Sequence, residues 1–270
     1  MSDADKKFTG SIPDLYDQFV VPLIFAHYAQ DMAGKVAEGR PGSVLETAAG
    51  SGVVTRALAP LLAGDARYIV TDLNQPMLDR ARRRQPADDR IEWRQADAMA
   101  LPFGDDSFDA LCCQFGVMFL PDKPAGYREA ARVLRKGGRF VFNVWDRIEE
   151  NAFAQSVTAT AARLFPDDPP LFLARTPHGY HDARAICHDL KAAGFVGVEW
   201  QTITGQSRAD SAATAAFALC QGTPLRNELE AREPGGLDRI TAEAAADIRA
   251  VFGAGPVSGK MQAHVFVALK

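Results

Sequence analysis

The chain has 270 residues, 47% of them hydrophobic, and carries a formal net charge of −4 with a pI near 5.8. Such a length suits one large domain or a domain with an added cover, the apolar content supports a real core, and the acidic balance implies no general affinity for nucleic acid. No run of 18 apolar residues exists and the opening M-S-D-A-D-K-K is not a signal peptide, so a soluble, cytoplasmic protein without membrane insertion is expected.

In chain order, residues 1–10 are polar and expected to fray. Residues 13–38 read as one or two helices, with Pro13 suited to the first helical position and a broad apolar face running from Leu15 to Met32. Alternating units follow. A strand at 43–47 leads to a helix at 53–62, a strand at 67–72 leads to a helix at 75–84, and a third strand spans 90–94. Arg80, Arg82, Arg83 and Arg84 read as a solvated helix face in a chain of negative net charge. A loop rich in Pro, Gly and Asp at 98–106 precedes a strand at 108–113. A helix at 123–135 then closes on the basic, glycine-ended Lys136-Gly137-Gly138, and a strand follows at 139–145. This alternation specifies a parallel sheet with right-handed crossovers.

Beyond Trp145 the rhythm breaks. Helices are expected at 149–165, 182–193, 208–221 and 237–252, with strands at 196–203 and 264–269. The cysteines Cys112, Cys113, Cys187 and Cys220 include no C-x-x-C pair, and the first two read as small core residues in an apolar strand.

The most informative stretch is S-V-L-E-T-A-A-G-S-G-V-V-T-R-A-L-A at 43–59. A buried strand, a turn through Gly50 and Gly52 and then a helix make the nucleotide-binding corner of a doubly wound α/β sheet. The pattern is G-x-G-x-x-T, with Thr55 where a dinucleotide fingerprint has its third glycine. Glu46 ends the strand before the turn. It would repel a pyrophosphate and welcome a cationic ligand with an amino group. Asp72 ends the second strand about 20 residues past the glycines, where a carboxylate takes two ribose hydroxyls. Asp97 ends the third strand and suits the adenine amino group. Three acids after three successive strands fit adenosine with a positive tail and no phosphate.

These residues resemble the class I S-adenosylmethionine-dependent methyltransferases, and within them the small-molecule branch that includes the ubiquinone/menaquinone-biosynthesis enzymes. The matching stretches are V-L-E-T-A-A-G-S-G, T-D-L-N-Q-P-M-L, Q-A-D-A-M-A-L-P-F-G-D-D-S-F-D-A and E-A-A-R-V-L-R-K-G-G-R-F, across roughly 40–145. Ala48 stands where the family's first motif has a glycine. The resemblance implies a doubly wound, seven-stranded, mostly parallel sheet with an antiparallel last strand, helices on both faces and a helical lid built by insertions. It implies S-adenosyl-L-methionine as cofactor, held by Glu46, Ala48, Gly50, Gly52, Thr55, Asp72, Leu73, Met77, Asp97, Ala98, Gln114 and Phe115. The chain then divides into a helical cover at 1–39, a cofactor core at 40–146, an insertion at 147–181, a core helix and strand at 182–204, a second insertion at 205–257 and a final strand at 258–270. The N-terminal helices and the two insertions are expected to bury their apolar residues on the ligand-binding edge of the sheet, with Tyr16 and Tyr28 toward ligand. A fixed homodimer interface is the alternative use of the insertions.

The sulfonium of such a cofactor is already electrophilic, so orientation supplies most of the rate, up to about 7–11 kcal/mol. A base helps a phenol, enol or acidic carbon by typically ~10²–10⁴-fold. His178 in T-P-H-G-Y-H is the candidate base, against a surface-loop role; His181, His188, His27 and His264 are the others. The H-x-x-H spacing of His178 and His181 has no third ligand near it, and no metal is expected. Gln114, past the fourth strand, is the candidate for positioning an acceptor, and Phe115 reads as either site wall or core. Small-molecule methyl transfer, by O- or C-methylation of a partly apolar acceptor, is the expected activity. The rivals are a nicotinamide-dependent oxidoreductase, which has no use for Glu46, and a non-catalytic S-adenosylmethionine-binding protein.

Overall fold

A computed structural model describes residues 12–270, so the polar stretch expected to fray lies outside the described residues. Seven strands form one sheet: β1 (Ser43–Glu46), β2 (Arg67–Asp72), β3 (Ile91–Gln95), β4 (Phe108–Gln114), β5 (Leu134–Trp145), β6 (Gly197–Ala209) and β7 (Val257–Leu269). Their order is β3-β2-β1-β4-β5-β7-β6, six parallel and the last antiparallel. The order reverses between β1 and β4, which both pair in parallel, and a crevice for ligand opens at such a point.

The helices are α1 (Ile12–Leu15), α2 (Ala26–Ala37), α3 (Val53–Leu58), α4 (Gln75–Arg84), α5 (Lys123–Val133), α6 (Ala152–Leu164), α7 (Phe172–Arg175), α8 (Ala183–Ala192), α9 (Ala212–Gln221), α10 (Leu225–Arg232) and α11 (Leu237–Phe252). The chain divides into two compact units. One holds the residues up to Ala26 with Trp145–Tyr180 and Thr204–Ala263; the other holds His27–Val144, His181–Ile203 and His264–Lys270.

The second unit carries helices on both faces of its strands. On one face Ala29, Met32 and Val36 of α2 and Val54 and Leu58 of α3 pack over Val44, Tyr68, Val70, Cys112 and Val141. On the other, Tyr127 of α5 meets a stack of Phe140, Phe142 and Phe266, the last two 4.9 Å apart and nearly parallel. Apolar residues thus alternate across the pleat and are buried on both sides, as a covered parallel sheet requires.

Several expected elements are corrected. The helix expected at 13–38 continues from α1 through a π-helical stretch, Tyr16–Phe25, into α2. Pro22 lies inside that stretch and has no N–H to donate, and Ala26 N–H reaches back five residues to Val21 O. The helix expected at 53–62 ends as α3, with a short 3₁₀ turn at Ala59–Leu61 around Pro60. The helix expected to run to 135 stops at Val133, and Lys136-Gly137-Gly138 lie in β5 rather than at a helix end. There the chain's last residue takes the backbone groups: Gly137 N–H donates to Lys270 O and Lys270 N–H to Gly138 O. β6 and β7 are also longer than expected, with 13 residues each. Their extensions are tied by Thr204 to Gln262 and Ser258 to Gln206.

Within the first unit the helices of the two insertions pack together. α6, α9 and α11 pack on one another, burying Phe153, Val157, Leu219, Ile240, Ala244 and Ile248. Phe217 of α9 meets Phe19 edge-on at 5.1 Å.

Candidate cofactor site

The site is built in the second unit at the ends of β1, β2 and β4. After β1 the chain makes three left-handed turns, at Ala48 (φ 52°), Gly50 (φ 58°) and Gly52 (φ 79°). The turn is stitched to both neighbouring strands. Thr47 N–H donates to Cys112 O and Ala49 N–H to Thr71 O, and Gly52 N–H closes on Ala49 O. A Cβ on Gly52 would meet Ala81 Cβ at 2.9 Å in a left-handed backbone, so glycine is needed there on two counts.

Asp72 turns inward at the end of β2 and accepts Gly50 N–H at 2.8 Å and Asn74 N–H at 2.7 Å. It is 7% exposed. Burial raises its carboxyl above the usual range, and these backbone donors pull the other way. Asp72 therefore fixes the glycine turn while presenting its remaining lone pairs. Leu73 is 45% exposed beside it, an apolar residue left uncovered next to the turn.

Glu46 is only 2% exposed. Its Oε2 accepts the Thr55 hydroxyl at 2.7 Å and the Tyr68 hydroxyl in a very short bond. Burial lifts its carboxyl to about 7 against those bonds and the nearby Arg56. The Tyr68 phenol is driven well up by burial and by the same carboxylate. With both bonds on Oε2, Oε1 is left for an ammonium. Thr55 is fully buried and Met77 is 2% exposed. Asp97 is exposed and its Oδ1 accepts Met99 N–H at 2.9 Å, which aims the loop start at the half-buried Ala98.

At the end of β4, Gln114 is half-buried and Phe115 is 5% exposed. Phe115 has a left-handed backbone, φ 49°. The wholly buried Tyr28 stands edge-on to its ring at 5.4 Å and donates to Ile203 O, so Tyr28 is core and not a ligand contact. Gly116 then abuts the turn: an added Cβ would come within 2.5 Å of Ala48 Cβ and of Cys113 Sγ. His178 belongs to the first unit. It is 5% exposed, and its Nδ1 sits 2.8 Å from Asp146 O. A carbonyl only accepts, so Nδ1 carries the proton. His178 is thus buried and not a surface-loop histidine, and His181 is exposed.

The donor set fits S-adenosylmethionine. Glu46 and Asp72 at the turn suit a cationic ligand without phosphate, while Arg56 donates to Ser51 O at 2.6 Å, and Ser51 Oγ is buried in the turn with no hydrogen-bond partner among the described residues. Tyr68 and Asn143 were missed from sequence. The signal for Asn143 was a lone amide in the apolar run F-V-F-N-V-W.

Comparison with known proteins agrees with this geometry. Residues 45–142 match a family model described as a methyltransferase domain. A demethylmenaquinone methyltransferase of Clavibacter sepedonicus is 33% identical over 170 residues, covering 60% of this chain and 68% of that protein. A demethylmenaquinone methyltransferase of Mycolicibacterium gilvum is 34% identical over 181 residues, covering 63% and 75%. Among solved structures, the YcgJ protein of Bacillus subtilis shares the fold with a TM-score of 0.58 at 21% identity, covering 90% of this chain and 98% of its own. The chain belongs to the class I S-adenosylmethionine-dependent methyltransferases, and it transfers methyl groups to small molecules.

Proposed function

We propose that the acceptor is a planar, partly apolar ring bearing an ionisable hydroxyl, of the quinol type, methylated on oxygen or on the ring carbon that the hydroxyl activates. The observation that carries this reading is the name shared by the similar proteins, demethylmenaquinone methyltransferase. A run of rings in the first unit supports it: Tyr16 and Phe25 at 5.2 Å, Phe25 and Trp145 at 5.9 Å, Trp145 and His178 at 5.8 Å. Flat aromatic faces suit a flat acceptor.

S-adenosylmethionine supplies an electrophilic methyl when bound. The residues have the simpler task of holding the acceptor in line and taking its proton. His178 is the base in this reading. Its Nδ1–H is held by Asp146 O, which makes Nε2 the basic nitrogen. Gln114 positions the acceptor oxygen. The insertions at 147–181 and 205–257, with the N-terminal helices, cover the acceptor, and a homodimer interface is their alternative use. Among the described residues no helix is long and apolar enough to cross a membrane. We place the protein in the cytoplasm, acting on a free small molecule without nucleic acid.

A panel of demethylmenaquinol analogues and simple phenols, assayed by S-adenosylhomocysteine release, tests the reading. Turnover of quinols that falls about 10²-fold or more in His178→Ala is expected. Turnover confined to amines, or unchanged in that variant, would sink it.

A further inference from the structure

Asn143 lies in β5 with no exposed surface, in register with Gln114 of β4. Its two polar atoms are treated unequally. Oδ1 accepts Phe115 N–H at 2.8 Å, whereas Nδ2 has no hydrogen-bond partner among the described residues. A buried amide with an unmet donor weakens a fold, and the strand around it is otherwise apolar: Phe140, Val141, Phe142, Val144 and Trp145. Packing alone would be served better by leucine. The polar side chain must then serve another end.

That end is visible at its one partner. Phe115 is a bulky aromatic with φ 49°, a region such residues seldom enter. Its N–H turns to the Asn143 side chain at the point where the β4 ladder ends. The next residue, Gly116, lies so close to Ala48 that no Cβ fits between them. Ala48 is itself left-handed, in the turn that receives the cofactor. A short mechanical chain therefore runs from Asn143 through Phe115 and Gly116 to Ala48.

We propose that Asn143 is a positioning residue for the cofactor site: its amide holds Phe115 in the left-handed turn and so sets Gly116 against Ala48, at a cost in fold stability. It touches no cofactor. The proposal depends on the cofactor site and is independent of the acceptor's identity.

The test is titration calorimetry with S-adenosylhomocysteine beside thermal unfolding of the ligand-free chain. Asn143→Leu removes one unmet donor and creates another at Phe115 N–H, so its melting temperature should stay within about 3 °C of wild type. Its affinity should fall about tenfold or more, because the turn is no longer tied. Asn143→Asp keeps an oxygen for Phe115 N–H and should bind within about threefold of wild type even if it melts earlier. Wild-type affinity in Asn143→Leu would overturn the proposal. So would a leucine variant that fails to fold, or affinity and stability lost in proportion in both variants, since each makes Asn143 structural. A wild-type chain that bound no S-adenosylhomocysteine would remove the cofactor site itself, and the proposal with it.

Discussion

If Glu46 takes the ammonium of the cofactor, binding depends on pH: burial holds its carboxyl near 7, and only the ionised form would attract that group. Affinity for S-adenosylhomocysteine should be flat above about pH 8 and fall as pH drops through about 7, approaching tenfold per unit below that. Glu46→Gln should bind more weakly and lose this slope; calorimetry over that range checks it. The same shift acts on stability with a definite sign. The folded pKa lies above the ordinary value of 4.5, so the contribution is fully present below that value and is lost as pH rises through about 7. The loss is on the order of 3 kcal/mol. At about pH 8 Glu46→Gln should therefore melt later than wild type while binding cofactor worse. An equal or lower melting temperature there would mean that Glu46 is not strained by burial.

Asp72→Ala should weaken cofactor binding by about tenfold or more, since it removes the proposed ribose acceptor and the anchor of Gly50 N–H. Ala48 and Gly116 form a compensating pair. The methyl that distinguishes Ala48 from the family's glycine occupies the room that Gly116 leaves open. Gly116→Ala should cost about 1–3 kcal/mol, and Ala48→Gly in the same chain should recover part of it, a coupling that a double-mutant cycle of urea unfolding measures. Additive effects would show that Cys113 Sγ, and not Ala48, sets the limit. The acids and glycines of this site were legible in sequence because the chemistry repeats at fixed offsets from each strand end. Tyr68 and Asn143 were not legible: their partners lie 22 and 28 residues away and meet them only through strand pairing.

Single elements were legible where apolar period and punctuation agreed. α11 spans 237–252 and α4 spans 75–84, both as expected. The failures share a cause. The start of β5 and the outer halves of β6 and β7 are polar or glycine-rich, and become strand only because a distant chain segment pairs with them. The loop after Asp97 shows a related effect. Its Pro, Gly and Asp suggest a loose loop, yet α5 clamps it. Arg132 donates to Leu101 O, Phe103 O and Asp105, and Glu129 accepts Leu101 N–H. Arg132→Ala should release 98–106, lower stability by about 1–2 kcal/mol and weaken cofactor binding, because Asp97 and Ala98 begin that loop. Hydrogen exchange should quicken there first. Uniform exchange across the variant would show the clamp to be incidental.

For the whole molecule, the cover and the dimer interface make different demands on the insertions. A cover that closes on ligand must be drawn from the least stable segments. Two of the breaks between the helices of the insertions, at 166–170 and 253–256, are not alike. Around 166–170 the chain is tied down: Arg232 donates to Asp168 O at 2.6 Å and pairs with its carboxylate, and Glu228 accepts Phe172 N–H and pairs with Arg175. Residues 253–256 are all exposed, and Gly253 has φ 101°, which only glycine adopts without strain. A protease acting on the ligand-free protein should therefore cut at 253–256 before 166–170, and Arg232→Ala should open the second site. If the insertions cover ligand, saturating S-adenosylhomocysteine should slow the first cut by about tenfold, with the chain monomeric in gel filtration. A dimer cut at the same rate with and without ligand would assign these segments to an interface between two copies and leave the acceptor without a moving cover.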